Sequence, residues 1–351
     1  MTQLVDFGDP VLGFVVPLIR ALEARSGPML VIANEVRHVP SDLRAEVRSL
    51  GKEHARGKLA RGVRYQTILA EALRRLRPAT VIAHMCPPYL TQAAPMVKLT
   101  GGRSMLWYIH PADTPMLRRA ERAADMVLTA LPGSFPRQSA KVHPIGHSID
   151  LTRFDALDPP PGGGGLRLLG LGRLAPIKGY PVMVRALRMA RDRGTDVRLD
   201  IVGEAIRDSD VGHREELRLL VERLGVEDAV SIRPGVAPAE VPGLLAQVDA
   251  LVNATAAGSA DKVVFEAMAC GRPPLVSSPA FHDLVGSGPV PLSFRAGDPA
   301  DLADRITQLA NTPPRTRVEM AAMLRSRIEG SHSLTHWADA VVRLATHLHR
   351  H

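Results

Sequence analysis

The stretch Gly170-Leu171-Gly172-Arg173-Leu174-Ala175-Pro176-Ile177-Lys178-Gly179 sets three glycines, an arginine and a lysine at the end of a short apolar run. Glycine lets backbone approach an oxyanion closely, and Arg173 and Lys178 supply two cations able to neutralise a diphosphate. Surface charge alone would also give two cations, but the chain holds 38 Arg against 6 Lys, as a GC-rich genome would give, so Lys178 stands out from that background. A second constellation runs from Ala257-Gly258-Ser259-Ala260-Asp261-Lys262-Val263 to Gly271. Ser259 or Asp261 is a natural helix N-cap, Gly271 a natural stop, and the N–H groups at such a helix start attract anions. Glu266 is an acid on an otherwise apolar helix. It reads either as half of a structural salt bridge or as a carboxylate accepting both hydroxyls of a ribose. His110 ends the apolar run Trp107-Tyr108-Ile109 and precedes Pro111, which suits a satisfied core histidine as well as a ligand contact. Glu204, beside Gly203, reads as a sugar or phosphate contact or as a plain surface acid.

These residues need elements to position them, and the chain alternates short apolar runs with longer stretches of helical period, the signature of parallel sheets covered by helices. Strands are predicted near Met29 to Ala33, Thr80 to His84, Ser104 to Ile109, Met126 to Thr129 and Val142 to Ile145. The run Asp158-Pro159-Pro160-Pro161-Gly162-Gly163-Gly164-Gly165 fits neither helix nor central strand and reads as an interdomain linker. After it the rhythm restarts, with strands at Leu166 to Leu171, Arg198 to Val202, Ala229 to Ile232, Ala250 to Asn253 and Pro274 to Val276. Helices are expected from Pro181 to Arg193, Glu215 to Leu224, Ala239 to Gln247 and Lys262 to Ala269. The fold class is therefore α/β with two doubly wound, Rossmann-like domains, residues 1–155 and 156–330. The closing segment, 331–351, reads as an amphipathic helix that packs on one domain or bridges both. An α/β domain normally opens with about five buried strand residues. Met1-Thr2-Gln3-Leu4-Val5 offers little, so a truncated first strand or a start upstream of Met1 is expected, which the intact mass of native protein would test.

Composition bounds the reading. At 351 residues, 45% apolar and 23% charged, the chain is an ordinary globular sequence of about two domains, and disorder is excluded. No apolar run reaches the roughly 18 residues of a membrane span. Cys86 and Cys270 alone give neither a disulfide framework nor metal-ligand spacing, and a reducing cytoplasm is the expected compartment. The net charge of +8 is uneven: residues 1–155 hold 21 basic and 13 acidic side chains, against 23 of each in the remainder. Between Arg44 and Arg77, ten basic residues face only Glu46, Glu53 and Glu71. That stretch reads as a solvated helix face or as a surface for anionic lipid or an acidic acceptor. It lacks the interleaved aromatics of a nucleic-acid platform, so no nucleic-acid partner is expected.

In order along the chain, the loop around Gly13, Trp107-Tyr108-Ile109-His110, Gly172-Arg173-Leu174 with Lys178-Gly179, and Phe265-Glu266-Ala267-Met268-Ala269-Cys270-Gly271 together resemble glycosyltransferase family 4, the retaining nucleotide-sugar transferases of GT-B fold. Gly203, Gly235 after Ser231-Ile232-Arg233, and Gly146-His147-Ser148-Ile149-Asp150 extend the likeness over nearly the whole chain. The resemblance implies two domains facing each other across a cleft, the second binding the donor and the first the acceptor. It implies that Arg173 and Lys178 grip the diphosphate, Glu266 holds the ribose, the region Arg233 to Val236 borders the base, and Gly13 lets a loop close on phosphate. His110 and Asp261 would orient donor hydroxyls, while Gly258, Ser259, Lys262 and Val263 would line the donor site. The donor expected is a nucleotide diphosphate-sugar, UDP-linked in preference to GDP-linked, carrying a hexose or N-acetylhexosamine, with no metal and no permanently bound cofactor. The acceptor is a sugar, a lipid-linked molecule or a small natural product, with peripheral membrane contact through Arg44 to Arg77 as an accompanying expectation.

One departure stands out. The family commonly places a second glutamate eight residues before the one matching Glu266, and here that position is Gly258, with Asp261 as its candidate replacement. Rival readings are a degenerate sugar-nucleotide-binding protein, a GT-B isomerase that needs no acceptor, and a phosphorylase that would carry pyridoxal.

Overall fold

The computed structural model describes residues 1–350 apart from 8, 10–12, 160–164, 206–207 and 256–259, so most of the expected Pro/Gly linker, together with Gly258 and Ser259, lies outside the described residues. Two compact units emerge: Met1–Ser148 with Ser331–His351, and Ile149–Gly330.

The first unit holds β1 (Thr2–Val5), α1 (Val15–Glu23), β2 (Leu30–Val36), β3 (Glu46–Ser49), α2 (Lys58–Arg75), β4 (Thr80–His84), α3 (Pro87–Leu99), β5 (Arg103–Trp107), α4 (Pro115–Ala123), β6 (Met126–Thr129) and β7 (Val142–Pro144). Its strands are all parallel, in the orders β1-β2-β3 and β4-β5-β6-β7. Parallel strands covered on both faces read as apolar runs rather than alternating ones, which is why β4 and β6 stand where the sequence predicts. Strand β3, with the polar run Glu-Val-Arg-Ser, carries no such signal and was not predicted.

The second unit holds β8 (Leu166–Leu171), α5 (Tyr180–Asp192), β9 (Val197–Val202), α6 (Asp208–Leu224), β10 (Val230–Arg233), α7 (Val241–Ala246), β11 (Ala250–Asn253), α8 (Lys262–Ala269), β12 (Pro274–Val276), α9 (His282–Val285), α10 (Pro299–Ala310) and α11 (Pro314–Ser331). The parallel sheet runs β10-β9-β8-β11-β12. Chain order reverses between β8 and β11, so the loops leaving these two neighbouring strands lead to helices on opposite sides. The crevice this opens beyond the strands' carboxyl ends is where open α/β sheets bind ligands. Residues 170–179 leave β8 there and the segment entering α8 leaves β11.

The closing helix α12 (Leu334–Leu348), capped by Ser333 on the His336 N–H, belongs to the first unit. It packs Trp337 edge-on against Trp107 of β5, ring centroids 5.6 Å apart, and shares a buried cluster with Leu18, Met105 and Leu128.

Two histidines of this unit are held neutral by burial. His84 is half-buried, but its Nε2 is sealed from solvent with no hydrogen-bond partner among the described residues, and its pKa is pushed down to about 3. His332, only 5% exposed, is pushed down to about 4. Unfolded, each protonates near its ordinary value of about 6.5. The unfolded chain therefore binds more protons below that pH, and stability falls as the medium acidifies. The expected loss for each histidine is about 2 kcal/mol between pH 7.5 and pH 5, read as the urea midpoint. His84→Gln should flatten that slope, and an unchanged slope would contradict the burial argument.

Candidate donor-binding site

Glycines seat the loops at the carboxyl ends of the second sheet directly on one another. A Cβ on Gly203, just beyond β9, would lie 1.9 Å from the Gly172 carbonyl oxygen of the loop beyond β8. Gly179 has φ +66°, and a Cβ there would come 2.5 Å from the Ala254 carbonyl beyond β11. Gly172 is further held by its N–H on the Val202 carbonyl (3.0 Å) and by the buried Tyr180 hydroxyl donating to its carbonyl (2.7 Å). Burial pushes that phenol's pKa up. Leu174 N–H donates to the Glu204 carbonyl, and the Gly235 N–H donates to the Glu204 carboxylate at 3.1 Å. Glu204, an exposed acid, thus joins the loops beyond β9 and β10.

On this platform each expected phosphate-binding cation already has a carboxylate partner. Lys178 Nζ donates to Asp261 Oδ2 at 2.7 Å, and that same oxygen accepts from Asn253 Nδ2 (2.8 Å) and Thr255 Oγ1 (2.7 Å). Asp261 stands at the N-cap position of α8 but makes no capping bond, which corrects the expected cap: three donors converge on one of its oxygens and turn the carboxylate toward the lysine. That oxygen holds Lys178. Arg173 Nε lies 3.6 Å from a carboxylate oxygen of buried Asp210 on α6. Glu266 accepts from Lys262 Nζ at 2.8 Å, one helical turn away, with its side chain only 11% exposed. Lys262 also lies over the Phe154 ring, 5.8 Å from its centroid, and Val263 beside it is half-buried. The structure thus contains a salt bridge at Glu266, made with Lys262. Arg233 pairs with Asp200 across the β9–β10 ladder at 2.7 Å, so its head is tied to the sheet.

Gly13 and His110 belong to the first unit. Gly13 is packed so that a Cβ would meet the Asp9 and Phe7 carbonyl oxygens at 2.6 and 2.9 Å. His110 is exposed, so it is not a core histidine; its Nδ1 accepts the Ala112 N–H at 3.1 Å. That bond leaves the neutral ring's proton on Nε2, available as a donor. Cys86 and Cys270 are buried free thiols, raised by burial to about 11 and about 12. Among the described residues no group of three or more His, Cys, Asp or Glu side chains is placed to hold a metal ion.

Sequence reasoning missed Asp210, Asn253, Thr255 and Tyr180, which hold Arg173, Asp261 and Gly172 in place. Asn253 carried a signal, a polar residue closing the apolar run Ala-Leu-Val. A cavity of 720 Å³ also opens in this unit, but at the amino ends of its strands, beside Leu166, Arg167, Asp249 and Pro273, away from all these residues.

Residues 165–312 match the family model described as glycosyl transferases group 1. D-inositol 3-phosphate glycosyltransferase of Pseudarthrobacter chlorophenolicus is 33% identical over 189 residues, 51% of this chain and 41% of that protein. A GDP-mannose-dependent alpha-(1-6)-phosphatidylinositol monomannoside mannosyltransferase of Mycolicibacterium smegmatis is 29% identical over 51% of this chain and 50% of its own length. The chain thus spans about half the length of these curated relatives, or less. HepE of Anabaena, crystallised with UDP, superposes with a TM-score of 0.76 at 16% identity over 99% of both chains. The fold is GT-B. The group 1 match falls within the second unit.

Gly203→Ala is expected to force the β8 and β9 loops apart at a cost of about 2 kcal/mol, lowering the melting temperature. Gly235→Ala, whose Cβ would meet its nearest neighbour at 3.3 Å, should be tolerated far better. Equal melting curves for the two variants would contradict the loop-contact argument.

Proposed function

We propose that this chain is a retaining, metal-independent family 4 glycosyltransferase that moves a hexosyl or N-acetylhexosaminyl group from a nucleotide diphosphate-sugar to an acceptor hydroxyl, UDP-linked donors being favoured over GDP-linked ones. The observation that carries the reading is the pairing of Lys178, from the loop leaving β8, with Asp261 at the head of α8 beyond β11, which joins the two loops of the β8–β11 switch point; Arg173 leaves the first of these loops and Glu266 stands on α8. Arg173 and Lys178 take the diphosphate. Asp210 and Asp261 hold the two cations in place before the ligand arrives, so little reorganisation is needed as charge develops on the departing phosphate. Glu266, fixed by Lys262, accepts ribose hydroxyls, and the Gly235 turn with Arg233 borders the base. His110 offers its Nε2 proton to a donor hydroxyl, and Gly13 admits the phosphate to its loop.

In the reaction the anomeric C–O bond breaks with its electron pair passing to the diphosphate. The acceptor oxygen bonds to the anomeric carbon on the same face, and the acceptor proton passes to a phosphate oxygen. No protein nucleophile is assigned, and positioning supplies much of the rate. A sugar-nucleotide-binding protein without turnover is the second reading, favoured by Gly258 standing where the family's second glutamate is expected.

The acceptor class is proposed from α2. Leu59 and Val63, one turn apart, are 84% and 62% exposed, beside exposed Arg56, Lys58 and Arg64. Arg48 and Arg75 of the same basic stretch are neutralised by Glu46 and Glu71, and Lys52 by Glu35. The remaining cations around an apolar stripe suit an anionic, lipid-linked acceptor at the inner membrane face. Among the described residues no helix is long and apolar enough to cross a membrane.

Donor turnover with UDP- and GDP-sugars tests the main reading. Arg173→Ala and Lys178→Ala are each expected to reduce turnover about a hundredfold, a larger effect than the loss of stability from leaving Asp210 or Asp261 without its cation. Glu266→Ala should chiefly weaken nucleotide affinity. Wild-type turnover in both cation variants would overturn the assignment, and donor binding without any turnover would favour the second reading. Co-sedimentation with phosphatidylglycerol vesicles, but not phosphatidylcholine vesicles, is expected and should be lost in a Leu59→Ser, Val63→Ser double variant. Equal sedimentation of wild type and double variant would rule out the α2 surface.

A further inference from the structure

His110 stands three residues beyond β5 and is exposed, and an exposed imidazole ordinarily samples several rotamers and both neutral tautomers. Here the ring is fixed through Ala112. The Ala112 N–H donates to His110 Nδ1 at 3.1 Å, which leaves the ring proton on Nε2. The Ala112 carbonyl in turn accepts the Tyr108 hydroxyl at 3.2 Å. Residue 112 is therefore gripped on both sides of its Cα, by the ring that it orients and by a phenol two residues ahead of that ring.

Tyr108 is built as the fixed end of this chain of contacts. It is only 7% exposed. Its N–H donates to the Leu128 carbonyl of β6 (3.0 Å) and its carbonyl accepts the Thr129 hydroxyl (2.9 Å), so its backbone is pinned to the neighbouring strand. Its ring stands edge-on to Phe135, centroids 6.0 Å apart, and on the other side meets the His110 ring at 6.3 Å. Burial raises the phenol's pKa, so the hydroxyl stays protonated and donates. The ends of the turn are held without it. Arg118 donates to both Asp113 oxygens (3.0 and 2.9 Å), Thr114 caps α4 on the Leu117 N–H (3.1 Å), and the Ile109 N–H donates to Met85 Sγ (3.4 Å). Among the described residues the Tyr108 hydroxyl bonds only to Ala112, the residue that orients His110.

We infer that Tyr108 is a positioning residue for His110: acting through Ala112 and through ring contact, it holds the imidazole in one orientation with its proton on Nε2. The inference rests on the donor-contact role proposed above for His110. In that role a sugar hydroxyl meets an oriented N–H, and the rotamer and tautomer choices of the side chain are settled before the ligand arrives, which is how positioning contributes to rate. Because the link runs through a main-chain carbonyl, it depends on the hydroxyl at position 108 and not on the side chain at position 112.

The test compares Tyr108→Phe with His110→Ala, the double variant and Arg118→Ala in the full chain. Imidazole nitrogen NMR in mildly alkaline solution reads the His110 tautomer, and turnover of UDP-glucose and GDP-mannose reads the reaction. Tyr108→Phe is expected to change His110 from the Nε2–H form to a mixture of tautomers. It should lower turnover about tenfold with affinity for UDP and GDP unchanged. Arg118→Ala loosens the far end of the same turn, and should keep the wild-type tautomer even where it melts at a lower temperature. The double variant should turn over no more slowly than His110→Ala, because the hydroxyl acts only through the ring. An unchanged imidazole spectrum in Tyr108→Phe, or the same mixture of tautomers in Arg118→Ala, would overturn the inference. Mixed tautomers in Tyr108→Phe together with full turnover in His110→Ala would uphold the link from Tyr108 to the ring and remove instead the donor contact proposed for His110.

Discussion

Carbonyl-on-glycine contact at the ends of the second sheet is the constraint on which the candidate site rests. With the Gly172 oxygen occupying the place of a side chain on Gly203, and the Ala254 oxygen pressing on Gly179, the loops beyond β8, β9 and β11 have one relative placement. Side chains leaving them inherit that placement. Lys178 meets Asp261 because its loop turns on Gly179 next to Ala254, and Gly235 meets Glu204 because the β9 and β10 loops run side by side. Without those close approaches, the cations would extend from mobile loops and exposed charge of that kind contributes little.

The electrostatics follow the same logic. Arg173 and Lys178 are not bare charges awaiting an anion; each is paired with a carboxylate fixed from elsewhere, Asp210 on α6 and Asp261 ahead of α8. The arrangement gives orientation at some expense of field, since any anion reaching the site would share each cation with its partner. Asn253 and Thr255 keep Asp261 in place, so Lys178 is positioned by a small network reaching back to the end of β11.

Most of the fold was legible in the sequence because its strands are buried on both faces: Thr80–His84, Met126–Thr129, Leu166–Leu171, Ala250–Asn253 and Pro274–Val276 stand at the expected bounds. Helix α8 does too, its end marked by Gly271. What escaped was the polar strand β3, the bounds of α1 to α4, the first turns of α6, the helices α9 and α10, and the whole of α11, whose polarity is mixed all round. At the site, Arg173, Lys178 and Glu266 were legible as charges out of context. Their partners were not, because Asp210 and Asp261 are distant in sequence and look like ordinary acids until the fold brings them in.

The most direct test of the central claim is a hydrogen-exchange footprint of the whole chain with UDP-glucose and, in parallel, GDP-mannose at saturating concentration. The account predicts slowed exchange in residues 170–179, 203–205, 233–236 and 260–266 with the preferred donor. Protection confined to the amino ends of the second sheet, around Leu166, Asp249 and Pro273, or absent with both donors, would contradict it.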